Sequence, residues 1–563
     1  MTNLNQRKKS TLLRLFVFVC FWFLTWPAQA VVFEVTTAEE FQAALGLASS
    51  NGGEDEILLA PGTYVGNFKF TLKEAFAIRI ASKDPSQPAV IDAGGKNFGL
   101  WLVGYGYQAD FDIEGLVVQN ANTVSVGGGV LARDVNGALT ISNVVFQNNT
   151  AKGGSGLHTE NVDRISVLSS KFMFNEVLDS GRGTIDLGGR NGLLIENSIF
   201  EGNVGSIIRV GQSAKYGSGG YPSSIIRANQ FRQVGPGHVL SYLGRNSDYV
   251  TFENNKVVVQ SGSLVSASSL DGFHARDNTF ETANCGLLQL GMVGNSRYMS
   301  SWVEIHSNLF RRQATLDCSG GQWVNLTRHG SDGSGPLAVR LSSNVFQDGE
   351  VRITWDGIPI ALTLVNNTFV GSTRSIYTAM HASSSITVSN NVFGPGITEP
   401  FIHINQPLEA ILTNNVISNV SGYWDVQRSN LAIDPGFYDP ENGDYRLAPD
   451  SAAIDAGTNE AITDPDATDL DGNPRIINGT VDIGAYERNT APLHPADTNE
   501  DSIITLDEFN AYNTAWRAND TWPTPPNEIP IDYVTRAGYL LQKGGEYKNI
   551  GVGKPLTWVP VSQ

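Results

Sequence analysis

The chain has 563 residues, 41% hydrophobic and 17% charged, which excludes a compositionally disordered protein and allows a large core. Its 56 acidic residues outnumber 38 basic ones, giving a net charge of −18 that argues against a nucleic-acid partner. The 59 glycines predict many turns.

Residues 1–30 read as a secretory signal. Arg7, Lys8, Lys9 and Arg14 precede the apolar run 15–24, and Ala28-Gln29-Ala30 forms a small-residue cleavage site. That run is shorter than the roughly 20 residues needed to span a bilayer, so no membrane span is expected after cleavage. Removing four basic and no acidic residues leaves 34 basic against 56 acidic, a charge of −22 for a secreted or cell-surface protein of bacterial extracellular type. Of three cysteines only Cys285 and Cys318 follow the signal, and an even pair in an exported chain points to one disulfide, with two buried free thiols as the alternative.

Residues 31–428 are built on one recurring phrase. "LTISNVVF", "LLIENSIF", "VTFENNKV", "VEIHSNLF", "LTLVNNTF" and "ITVSNNVF" are copies, and the last apolar residue recurs twelve times from Val118 to Ile417, at intervals of 23 to 36 residues. Such drift is too large for a strict helical repeat and suits coils with variable loops. Each copy alternates with period two, as at Val339/Leu341, Leu362/Leu364 and Ile386/Val388, so each predicts a short half-buried strand that needs stacked neighbours. Asn229, Asn255, Asn278, Asn308, Asn344, Asn367, Asn391 and Asn415 stand two residues before the marker. Asparagine tolerates the left-handed conformation, and amides stacked on successive coils can hydrogen-bond along the axis. The Phe146 and Phe200 copies carry the asparagine one residue earlier.

These phrases, with the opening "FEVTTAEEFQAALGLASSNGGEDEILLAPGTYVGNF", resemble the right-handed parallel β-helix proteins, the fold of pectate lyases and related polysaccharide lyases and hydrolases. The resemblance implies an all-β, single-stranded right-handed parallel β-helix of about twelve coils, with residues 38–48 as a capping helix. Residues 429–488, containing "NLAIDPGFYDPENGDYRLAPDSAAIDAGT" and "DLDGNPRIINGTVDIGAYE", resemble a module that closes bacterial secreted β-helices. Its many Asp residues lie near Pro, Gly or Asn and read as turn and cap chemistry rather than metal ligands.

After a linker at 489–496, residues 497–563 predict a small α-helical domain. Asp497, Asn499, Asp501, Thr505 and Glu508 occupy positions 1, 3, 5, 9 and 12 of an EF-hand loop, with the Ile503 carbonyl at position 7. That is a calcium expectation, with Ser502 standing where the motif has Gly. The segment resembles half of a dockerin-like module, and a surface or scaffold anchor is the partner this implies.

Candidate chemistry follows from aligning "GGGVLARDV", "GSGLHTENV", "RGTIDLGG" and "GSIIRVGQ". Val130, Leu157, Ile185 and Ile208 then point inward, while Leu131, His158, Asp186 and Arg209 form an outward column flanked by Arg133 and Glu160. Coils stand about 4.8 Å apart, so the column is sugar-sized. The glycine-rich loop beyond it, with Lys215, Tyr216 and Tyr221, would wall a groove. Seven basic residues between 182 and 245 make this stretch locally positive, which suits an acidic glycan. In an elimination Arg209 or Lys215 would neutralise a uronate and His158 would be the base. In a hydrolysis Glu160 and Asp186 would be the acid and base. The expected function is binding of extracellular polysaccharide by a monomer, with cleavage as its stronger form; the alternative is a non-catalytic adhesive or structural surface protein.

Overall fold

A computed structural model describes residues 30–189, 192–211, 223–233, 237–260, 263–282, 288–292, 302–312, 321–328, 337–355, 359–371, 375–379, 383–395, 397, 409–418, 420, 423–464, 466–477, 479–488, 493–499, 501–549 and 555–561. The chain forms a parallel β-solenoid. One sheet has 24 strands and a second has 13, and within both every pairing is parallel, between segments about one repeat apart. The first sheet has two arms. Strand Val130–Ser142 shows this, its start pairing with Leu100–Val103 and its end with Phe111–Glu114.

Helix α1 (Ala38–Ala48) closes the amino-terminal end. Thr37 and Glu40 form a reciprocal capping box, and Phe41, Ala44, Leu45 and Ala48 fall on the buried face. Phe41 meets Phe68 with ring centroids 4.6 Å apart, sealing the first rung.

Inside, the marker phenylalanines stack. Neighbouring rings from Phe146 to Phe231 and from Phe280 to Phe393 lie 4.7 to 5.3 Å apart, close to the inter-strand spacing. Where Val257 interrupts the column, Phe252 from another strand fills it, 6.0 Å from both Phe231 and Phe280. The 13-stranded sheet carries one rung more than the twelve markers predict. Tyr64 and Ile91 head two earlier strands, whereas Ile417 lies outside the sheet, its neighbour Val416 making only isolated bridges.

The asparagine corner divides its labour between adjacent residues. From Asn229 to Asn430 each ladder amide donates to the next side-chain oxygen at 2.9 to 3.1 Å, and the next oxygen also accepts the backbone N–H. Ser170 and Ser198 serve the earlier rungs. The left-handed residue is the one before: Asn254, Asn366, Asn390 and Asn414, and also Asn143 and Asn197 of the copies whose asparagine stands one residue early. Conformation and laddering are therefore separate tasks, and "NN" supplies both.

The first asparagine of the late copies has a further use. Asn366 donates to Asp482 O, Asn390 to Thr458 O and Asn414 to Ala456 O, which fastens residues 456–482 along the corner. Within residues 455–488 Asp469 accepts from the backbone of Asp471, Asn473 and Glu487, and Asp482 from that of Asp455 and Arg488. Arg475 and Glu487, both almost fully buried, pair at 2.7 Å. The carboxylates make turns and internal ties.

Towards the carboxy terminus α2 (Leu506–Ala518) packs against α3 (Ile531–Gln542) and an antiparallel pair, Tyr547–Asn549 with Trp558–Pro560. Tyr512, Ala537, Leu540 and Trp558 form the core there. His494 and Ala496, placed in the linker by sequence, are fully buried here. No helix among the described residues is long and apolar enough to cross a membrane.

Candidate functional site

The first arm of the large sheet presents one outward column in unbroken register. Lys69 pairs with Trp101, then Leu131, His158, Asp186 and Arg209 follow. Beyond Arg209 the same column continues through Ser241, Ser266, Gln289, Asn325, Arg352 and Tyr377. The inward neighbours Val130, Leu157, Ile185 and Ile208 have no exposure, so the alternation puts this column on the outer face. Both ends carry a cation over an aromatic ring, Lys69 on Trp101 at 4.2 Å and Arg352 on Tyr377 at 4.6 Å.

Outward does not mean open at every rung. His158 is 3% exposed and Asp186 0%. The turn at Gly153 and Gly154 lies directly over them: a Cβ on Gly153 would stand 2.6 Å from Asp186 Oδ2, and one on Gly154, at φ +62, would stand 2.4 Å from His158 Cβ. Only glycine fits there. Arg209 Nη1 donates to Asp186 Oδ1 at 2.8 Å and Arg182 Nη1 to Oδ2 at 3.0 Å, while His158 Nδ1 lies 3.6 Å from Oδ2. Burial works to raise the Asp186 pKa, but the His158 ring and the two guanidiniums outweigh it and hold the carboxyl below its ordinary value. The group stays ionised and tied. Glu160 is more exposed, accepting from Arg133 at 3.1 Å and facing His158 Nε2 at 3.1 Å.

The four residues named for catalysis thus come together as one network with Arg133. His158 and Asp186, expected on an open outer face, lie beneath the Gly153-Gly154 turn. Lys215, Tyr216 and Tyr221 lie outside the described residues, as do Cys285 and Cys318. The locally positive stretch is not one patch. Arg227 is on the second arm, bound to Glu196 at 2.9 Å, and Arg232 is on the 13-stranded sheet facing Glu201 at 3.6 Å.

Sequence reading missed the column beyond Arg209. Its signal was present, since Ser266, Gln289, Asn325, Arg352 and Tyr377 each stand third in "LVSAS", "LLQLG", "WVNLT", "EVRIT" and "SIYTA". Variable loops between the strands hid the alignment.

In the segment 497–508, Ser502 adopts φ +64, the left-handed turn where glycine was expected. Asp497 Oδ2 accepts from Ser502 N at 2.9 Å and from the Tyr547 hydroxyl at 2.7 Å. Burial pushes the Asp497 pKa up to about 6. Glu508 Oε1 accepts from Thr498 N at 2.9 Å and Oε2 from Thr505 N at 3.0 Å, while Asn499 donates its amide to Asp501 at 2.8 Å. All are hard oxygen donors of the type calcium takes. Among the described residues, though, no three His, Cys, Asp or Glu side chains gather closely enough to hold a metal ion.

No protein-family model matches this chain, and no curated protein matches its sequence. Among solved structures it is similar to the pectate lyase Pel9A, at 14% identity over 82% of this chain and 97% of that one, with a TM-score of 0.24. It is also similar to PfbA, a surface adhesin of Streptococcus pneumoniae, at 11% identity over 61% of this chain and 89% of that one, with a TM-score of 0.27. Likenesses at these scores carry no argument about activity. The strand register by itself defines the class, a parallel β-solenoid with one long polar outer column.

Proposed function

We propose that the protein binds an extended acidic polysaccharide outside the cell, laid along the first arm. The observation that carries this is the continuity of the column from Arg209 to Tyr377. Six successive rung spacings give about 29 Å of hydroxyl, amide, guanidinium and phenol groups in line, which matches a glycan chain better than a compact ligand. Lys69 and Arg352 favour an anionic chain, whereas Arg182 and Arg209 are engaged with Asp186 and Arg133 with Glu160. The roofing of His158 and Asp186 favours binding over cleavage. Glu160, with 43% of its side chain exposed, is the carboxylate a cleaving reaction at this network would use.

Isothermal titration with a polyuronate, and with an uncharged glucan of equal length, tests the reading. Affinity for the polyuronate should fall about tenfold in Arg352→Ala and in Tyr377→Ala, the loss of one charge-assisted or stacking contact. Equal affinity of parent and both variants would overturn it. Release of unsaturated uronate or new reducing ends, abolished in Glu160→Gln, would establish the cleaving form.

We also propose calcium for the loop, because the Ser502 backbone takes the turn that the missing glycine would supply. Asp497, Asn499, Asp501, Thr505 and Glu508 would hold the ion with the Ile503 carbonyl, and the ion would cross-link the loop to α2. Millimolar calcium should raise the unfolding midpoint of the full chain by several degrees, and Asp501→Ala should cancel the rise. No rise in the parent would remove calcium from the description.

A further inference from the structure

The second arm carries a different outward surface, two-thirds of the way along the solenoid. Tyr249, Gly272, Trp302, Ala338 and Ala361 follow one another in register. Tyr249 and Trp302 lean toward each other over the glycine, with ring centroids 6.0 Å apart; a Cβ at Gly272 would come within 2.4 Å of the phenol ring and 2.8 Å of the indole. The indole therefore tips away from Ala338, and Ala338 and Ala361 are exposed. The result is a shelf with an aromatic back wall and a floor of two methyl groups.

The adjoining outward column supplies the polar edge: His274, Glu304, Arg340 and Thr363, again in register. His274 packs edge-on to Trp302 and shares a 2.9 Å contact between Nε2 atoms with His306. Arg340 is the unusual member. It is half-buried, its nearest acidic charges are those of Glu304 and Asp464, and among the described residues it forms no ion pair within 4.0 Å and no hydrogen bond. A partly desolvated guanidinium with no carboxylate in direct contact is costly to keep unless an anion completes it.

We propose that Trp302, Ala338, Ala361 and Arg340 form a second sugar site, taking a pyranose ring on the shelf and a sulfate or carboxylate on that ring at Arg340. The flat face of a pyranose suits the indole, Glu304 is placed to accept from a ring hydroxyl, and Arg340 offers its planar fork to the oxyanion. This site lies on a different arm from the Arg209-to-Tyr377 column and does not depend on it.

The test is calorimetric titration of the full chain with three oligosaccharides of equal length: a sulfated galactan, a uronate and an uncharged glucan. Arg340→Gln should weaken one anionic ligand about tenfold and leave the glucan unchanged, and the ligand affected tells sulfate from carboxylate. Trp302→Ala should weaken all that bind at this site, whereas Tyr377→Ala should leave the Arg340-dependent component intact. Arg340→Lys, which keeps charge without the fork, should lose less than Arg340→Gln and covers the case in which the glutamine variant fails to fold. Anionic affinities within twofold of the parent in a folded Arg340→Gln or Arg340→Lys variant would overturn the proposal. So would a component lost wholly in Tyr377→Ala, which would assign binding to the first arm alone.

Discussion

The asparagine corner and the first-arm outward column each place one side chain per rung, yet the corner repeats one residue and the column almost never does. At the corner, backbone N–H and carbonyl groups of every rung must be satisfied away from water, and a carboxamide does this while passing the same demand to its neighbour. On the outer face water already satisfies each group, so identity is free to follow a ligand. Monotony marks what the fold requires, and variety marks where function can be written.

The comparison breaks first at the corner. Asn344 donates to Ile305 O at 2.7 Å and Asn367 Oδ1 at 2.9 Å, and its own oxygen accepts from Asn308 N and Nδ2, both at 3.0 Å. Asn344→Leu keeps the volume but leaves these buried groups unpaired, so we expect a loss of about 3 to 4 kcal/mol in denaturant unfolding. Ser266→Ala, on the outer column, should change stability by no more than about 0.5 kcal/mol. Comparable losses at the two positions would mean the outer column is as structural as the corner.

Asp186 is the outer-column residue that behaves like the corner. Asp186→Asn removes the charge facing Arg182 and Arg209, and should cost about 2 kcal/mol. Because its folded pKa is depressed, the stabilisation it gives is fully present above the unfolded value near about 3.9 and is lost as pH falls through the folded value. The parent's acid denaturation should accordingly be steeper than the variant's. Parallel stability-versus-pH curves for the two would show that Asp186 contributes no linked stability.

The legibility of these regions in sequence follows the same division. The repeat, the period-two strands, the capping helix at 38–48 and the inward set Val130, Leu157, Ile185 and Ile208 could all be read, because core packing and corner hydrogen bonds impose a recurring residue type. The register Leu131, His158, Asp186, Arg209 was legible for the same reason. Exposure was not. The two-glycine turn that leads into the His158 strand roofs both His158 and Asp186, and the strand pattern itself does not announce that cover. The outer column beyond Arg209 and the shelf at Trp302 escaped because neither repeats a residue, and the left-handed role of the first asparagine escaped because the ladder role of the second was the stronger pattern.

The smallest expected effect sharpens the contrast between the two arms. On the second arm His306 is held neutral: burial, then the charges of His274, Arg276 and Arg340, lowers its pKa to about 4. An unfolded histidine titrates near about 6.5, so between these values the unfolded chain binds the extra proton and the folded chain does not. Stability should fall as pH drops from about 6.5 toward 4, by about 1 kcal/mol once partial solvation is allowed for. His306→Gln keeps a hydrogen-bonding side chain without the titration and should flatten that part of the curve, while Asp186→Asn should alter only the more acidic part. Two separable windows, one per arm, would show that the outer faces titrate independently although they share every rung of the core.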